Sequence, residues 1–119
     1  MVNFTGRVTR DELVEYYSRA EIAVVPSLYE GFGFPAAEAM SCGIPVIASS
    51  GGALPEVVGE AGMLVPPGDA DALAAAIKQL LDNKQLQLQM GEAGRKRVKN
   101  EFSWEQAAKR ILEIYREVL

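Results

Sequence analysis

The stretch IAVVPSLYEGFGFPAAEAMSCGIPVIA, residues 22 to 48, decides the fold. It opens on a short apolar run, passes through a turn rich in glycine and aromatic residues, becomes helical in character, and closes on a second apolar run. Pro35 in the first helical turn and Gly43 just past the last one follow the usual helix asymmetry. Proline has no N–H to waste at a helix start, and glycine accepts the left-handed conformation that ends one. Strand, helix, strand predicts two parallel strands joined by a helical crossover.

The flanks repeat the pattern. VNFT (2 to 5), IAVV (22 to 25), PVIA (45 to 48) and GMLV (62 to 65) are short apolar runs without alternation, as in strands buried on both faces. Before IAVV, Thr9 and Glu12 make a capping box, and Leu13, Val14 and Tyr17 supply a buried stripe. Glu56, after Pro55, caps or anchors a short helix. Past GMLV, a helix over 70–82 buries Leu73, Ala76, Ile77, Leu80 and Leu81, and a second covers 84–99. A last one, over 104–118, carries Trp104, Ala107, Ala108, Ile111, Leu112, Tyr115, Val118 and Leu119 on one face at a 3.6-residue period. The expectation is one α/β domain over residues 1–119, a Rossmann-like parallel sheet of about four strands flanked by five to six helices.

Composition narrows the chemistry. The chain has 119 residues, 49% hydrophobic and 24% charged, the balance of an ordinary globular domain. Its net charge of −4 argues against nucleic acid as the main partner, because phosphate backbones are held by Lys and Arg. No charged-then-apolar leader reads as a signal peptide, and no apolar run approaches the roughly 20 residues of a membrane span. One cysteine, Cys42, allows no internal disulfide and fits a reducing cytoplasm. With no histidine, Ser-His-Asp and Cys-His pairs and His-based zinc sites are all excluded.

The loop PSLYEGFG leaves the carboxyl end of a predicted strand, where open α/β sheets bind ligands. Gly31 and Gly33 let the backbone turn and approach a ligand closely. The N–H groups opening the next helix favour an anion such as a phosphate. Beside an anion, Glu30 and Glu38 serve best as acceptors for neutral hydroxyls on either side of a diphosphate, which describes a nucleotide sugar. A solvated loop residue and a helix-surface charge are the plainer reading of the same two glutamates.

The pattern P-S-x-x-E-G-F-G-x-P-x-x-E-A-M-x-x-G-x-P-V-I-A resembles the signature of the retaining glycosyltransferases of group 1, family 4, which have the GT-B fold. The flanks F-T-G-x-V, G-G-x-x-E, G-x-L-V-P-P-G-D and S-W-E are similar as well, so the likeness runs along the whole chain. The resemblance implies that Glu30 contacts the donor sugar's hydroxyls and steadies charge at its anomeric carbon. It implies that the backbone of Gly31, Phe32, Gly33 and Phe34 holds the sugar and diphosphate, and that Glu38 takes the ribose hydroxyls. Gly6, Arg7 and Val8 fall where the base-proximal loop lies. The donor is expected to be UDP-, GDP- or ADP-linked, transferred with retention, with no cofactor and no obligatory metal.

Two strand-helix units of the donor-binding domain, with cationic residues for the diphosphate, and an N-terminal acceptor domain are expected to precede Met1. The expected product is therefore part of a donor site, inactive alone, that self-associates through an exposed strand edge or the last helix. A membrane surface would be met only through the parent enzyme. A folding or assembly module that keeps the signature by descent, or a piece of a GT-B nucleotide-sugar epimerase, are the alternatives.

Other features have simple explanations. Asp69-Ala70-Asp71 spells the D-x-D of metal-dependent transferases but stands where two aspartates cap a helix. RKRVK (95 to 99) reads as a cationic last turn suited to the helix dipole, with an anionic membrane as the other reading. Gly51-Gly52 is either a tight turn or a border of the donor.

Overall fold

A computed structural model describes residues 4–28, 31, 33–101 and 116. Its sheet has three parallel strands in the order β1 (Ala23–Val25), β2 (Val46–Ser49), β3 (Met63–Val65). Ala23 pairs with Val46, and Ile47 with Met63, in unbroken parallel register. The expected runs at 22–25, 45–48 and 62–65 are thus strands. The fourth is corrected: Phe4 and Thr5 lie in no strand, and Phe4 is 95% exposed. Backbone groups hold an extended conformation in a ladder only where a neighbour pairs with them. Val2 and Asn3 lie outside the described residues, as does the expected helix over 104–118 apart from Arg116.

β2 is central and buried on both faces. Val46 and Ala48 point into one core with Met40, Leu54 and Val58. Ile47 points into the other with Val65, Ala76, Leu80 and Met90. That two-sided burial explains why the run VIAS shows no polar alternation.

The helices follow local rules. In α1 (Arg10–Arg19) both halves of the Thr9–Glu12 capping box form. Leu13 and Tyr17 are half-buried, but Val14 is 48% exposed, a correction to the expected stripe: α1 presents a narrow face, Tyr17 packing on the first core. α2 (Phe34–Ser41) carries Pro35 in its first turn, ends at Cys42, and is followed by Gly43 at φ 76°. The short α3 (Leu54–Val58) has Glu56 in its first turn and passes into a 3₁₀ turn, Gly59–Ala61. α4 (Ala70–Leu81) buries Ala76 and Leu80 and half-buries Leu73 and Ile77. Leu81 is 50% exposed instead of buried, because it is turned about 100° from Leu80, off the seam. α5 (Lys84–Glu101) serves both cores, with Met90 in one and Val98 against the other.

Among the described residues no helix is long and apolar enough to cross a membrane.

Candidate functional site

The loop leaving β1 is pinned at both ends. At its start, the buried Ser49 hydroxyl at the end of β2 donates to the Ser27 carbonyl. One residue on, the Leu28 carbonyl fills the place beside Gly51: a Cβ on Gly51 would come within 2.4 Å of that oxygen. Gly51 is therefore a close-approach glycine that lets the loop after β1 lie over the loop after β2. At the far end Gly33, at φ 69°, is the residue that starts α2. A Cβ there would stand 2.8 Å from Val57 Cγ2, so the valine side chain of α3 seats the Gly33 backbone.

Between these anchors Gly31 is exposed. Tyr29, Glu30 and Phe32 lie outside the described residues, so the expected roles of Glu30 and Phe32 meet no geometry here. At Phe34 the chain enters α2, which among the described residues has no side-chain cap and has no acidic residue in its first turn. Unsatisfied N–H groups at such a helix start are attractive to an anion.

Glu38 is exposed one turn beyond Pro35, on the same side of α2. Its backbone carbonyl accepts from the Ser41 hydroxyl at 2.6 Å and from the Cys42 amide at 3.3 Å. The Tyr17 hydroxyl of α1 is pushed above its ordinary pKa, first by burial, then by the negative charge of Glu38, then by Cys42. Tyr17 and Glu38 thus face a common region. A groove of about 500 Å³ runs along β1, lined by Tyr16, Tyr17, Val25, Pro26, Ser27 and Pro35 but not by Glu38. A smaller cleft of about 190 Å³ lies on the other side of Pro26, against Val65, Gly68, Asp69 and Leu73.

Gly6, at φ 66°, Arg7, exposed, and Val8, half-buried, run into the start of α1. Among the described residues no hydrogen bond or ion pair joins them to the loop or to α2. Asp69 caps α4 as expected, its carboxylate accepting from the Ala72 amide at 2.9 Å. The RKRVK run does not act as a uniform cationic turn. Arg97 points inward and donates from Nε to the Val57 carbonyl at 2.8 Å and from Nη2 to the Glu56 carbonyl at 2.7 Å. The Arg95 guanidinium lies against Gly43, and Lys99 alone stands in the last turn of α5.

Sequence reasoning missed Ser49, Val57 and Arg97. Only Ser49 left a trace, as a polar residue closing an apolar run with a glycine pair after it.

Residues 1–97 match the family described as Glycosyl transferases group 1. The chain is 41% identical over its whole length to the MMP alpha-(1->4)-mannosyltransferase of Mycolicibacterium hassiacum, and spans 30% of that protein. Among solved structures, sucrose-phosphate synthase from Thermosynechococcus elongatus superposes with a TM-score of 0.84 at 46% identity, over 98% of this chain and 30% of that one. Anabaena HepE, solved in complex with UDP, has a TM-score of 0.75 at 24% identity, over 87% of this chain and 29% of that one. At that identity the likeness is one of fold.

Proposed function

The chain belongs to the group 1 glycosyltransferases, and from that premise we propose that it supplies half of the nucleotide-sugar site of a retaining enzyme. The observation that carries this reading is the loop from Pro26 to Gly33, pinned at both ends at the carboxyl end of β1 and entering the uncapped start of α2. In the proposed complex the amides of Gly31 to Phe34 hold the sugar and diphosphate, Glu38 takes the ribose hydroxyls, and Glu30 takes those of the donor sugar. Glu30 also steadies positive charge as the anomeric centre loses its leaving group. Gly6, Arg7 and Val8 border the base, and no metal is required.

The nucleotide is UDP, GDP or ADP. That a protein of this fold was solved with UDP supports the assignment. The single Cys42 supports a cytoplasmic setting. Among the described residues no strand pairs with the outer edge of β1, which supports self-association, since unpaired strand groups are a template for another strand.

These 119 residues alone are proposed to transfer no sugar. Departure of a nucleoside diphosphate needs preorganised positive groups, each worth about 3 to 4 kcal/mol, and the proposed site holds its ligand mainly through acceptors and backbone amides. Affinity for the free nucleotide is expected near millimolar, about −4 kcal/mol.

The test is an NMR titration of the chain with UDP, GDP and ADP, followed at the amides of Gly31 to Glu38. Saturable shifts confined to that segment and its neighbours support the reading. Shifts absent for all three nucleotides at tens of millimolar, about ten times the expected dissociation constant, refute it.

A further inference from the structure

We infer that Arg97 is a positioning residue for the loop of the proposed donor site, acting through α3 on Gly33. Its guanidinium donates to two carbonyls in α3, those of Val57 and Glu56. Arginine's planar fork reaches the two carbonyls from two separate nitrogens, whereas lysine's three donors share one nitrogen. Carbonyls in the last turn of a helix lack intrahelical partners, so the contact also stabilises the end of α3.

The fold makes room for it. Gly59 follows α3 at φ 54°, and a Cβ there would lie 2.4 Å from Arg97 Cζ. Only a residue without a side chain leaves the guanidinium its seat. α5 is fixed on its other side too. A Cβ on Gly91 would come within 2.2 Å of the Gly43 carbonyl, and one on Gly94 would touch Met40 at 3.4 Å. One rigid helix therefore abuts the C-terminal end of α2 through its glycines and holds the C-terminal end of α3 through Arg97.

The consequence reaches the loop through one side chain. The residue whose carbonyl receives Arg97 Nε is Val57, buried, and its Cγ2 lies against Gly33. Gly33 starts α2 and ends the loop. Moving α3 along its axis moves that valine and with it the seat of Gly33. Binding groups displaced by even a fraction of an ångström lose much of their value. The inference rests on the donor-loop reading above and adds to it a residue that touches neither sugar nor nucleotide.

The experiment compares Arg97→Met and Arg97→Lys with two controls in the full 119-residue chain. Lys96→Met removes a neighbouring exposed cation whose partner among the described residues is Glu92 on its own helix. Leu80→Val weakens the core on the opposite face. Without ligand, Arg97→Met is expected to displace the Gly31 and Gly33 amide resonances, Arg97→Lys to displace them less, and both controls to leave them in place, although Leu80→Val lowers Tm. With UDP, Arg97→Met is expected to weaken binding about tenfold, roughly 1.4 kcal/mol, with partial rescue by lysine. If Arg97→Met does not fold, Arg97→Lys carries both measurements. Amides unmoved in the arginine variants overturn the inference, as do amides moved equally by Leu80→Val, or moved amides with unchanged affinity. If the unsubstituted chain binds no nucleotide, the donor reading falls, and the amide displacements alone still decide whether Arg97 places the loop.

Discussion

The Ser49 hydroxyl, at the carboxyl end of β2, donates to the Ser27 carbonyl in the loop leaving β1. Both residues stand where the sheet meets its proposed ligand, and the bond ties a loop to the most buried strand. Ser49→Ala leaves that carbonyl without its partner, and an unmet polar group in a buried site costs about 1 to 3 kcal/mol. Urea unfolding of the variant is expected to show a loss in that range. A loss under about 0.5 kcal/mol, the scatter of a surface change, would count against the bond.

Tyr17 titrates above its ordinary value of 10.0, with burial the first cause and the Glu38 charge the second. For a group whose folded pKa is raised, the stabilising contribution is fully present below the unfolded value and is lost as pH rises through the folded one. Stability is therefore expected to be insensitive to Tyr17 up to about pH 10 and to fall beyond it. Glu38→Gln should lower the Tyr17 pKa but leave it above 10.0, since burial remains. Tyrosine ring carbon shifts followed against pH distinguish Tyr17 from the other tyrosines, and an unchanged midpoint in the glutamine variant would show that the charge is not felt.

Gly33→Ala meets two penalties. A left-handed φ costs a non-glycine residue about 1 to 2 kcal/mol, and the new methyl would crowd Val57 Cγ2 at 2.8 Å. A destabilisation of about 2 to 4 kcal/mol is expected, the upper part from overpacking. In Gly33→Ala combined with Val57→Ala the steric part should be relieved, so the two changes should couple by more than about 0.5 kcal/mol. Additive effects in chemical denaturation would mean that Val57 does not seat Gly33.

Asp69→Ala removes a helix cap. The Asp69 carboxylate accepts from the Ala72 amide, and losing such a cap costs about 0.5 to 2 kcal/mol. Thermal unfolding should show that loss, and Asp69→Asn, which keeps an acceptor, should recover most of it. Addition of Mn²⁺ is expected to leave Tm of the unsubstituted chain unchanged. Metal-dependent stabilisation that disappears in Asp69→Ala would reverse this assignment.

The two glutamates should separate by ligand. Hydrogen bonds to a charged acceptor contribute about 1.5 to 3 kcal/mol each. Glu38→Ala is therefore expected to weaken UDP and a UDP-sugar alike by about ten- to a hundredfold, while Glu30→Ala weakens only the UDP-sugar. Calorimetric or NMR titrations in which both substitutions act identically on both ligands would overturn the assigned roles.

The sequence by itself determined whatever depends on residues three or four apart. The Thr9–Glu12 box, the Asp69 cap, Pro35 inside the start of α2 and Gly43 past its end all stand where the local pattern puts them. The strands at 22–25, 45–48 and 62–65 were equally legible, because all three are apolar runs, although only β2 is buried on both faces and Val24 and Leu64 of its neighbours are exposed. Local signals failed where a residue's surroundings come from elsewhere. Val14 and Leu81 fit their helical stripes yet lie exposed, since the width of a buried face depends on what packs against it. The VNFT run has strand composition, but at Phe4 and Thr5 no strand forms, because composition does not supply a pairing neighbour. The candidate site divides in the same way. Its motif, from Pro26 to Glu38, is contiguous and readable. What holds that motif in place is not: Ser49 reaches Ser27 across 22 residues, and Arg97 reaches Val57 across 40. Only the tertiary structure brings such pairs together, because the distance between them is set by how the sheet and helices pack and leaves no periodic mark on the chain.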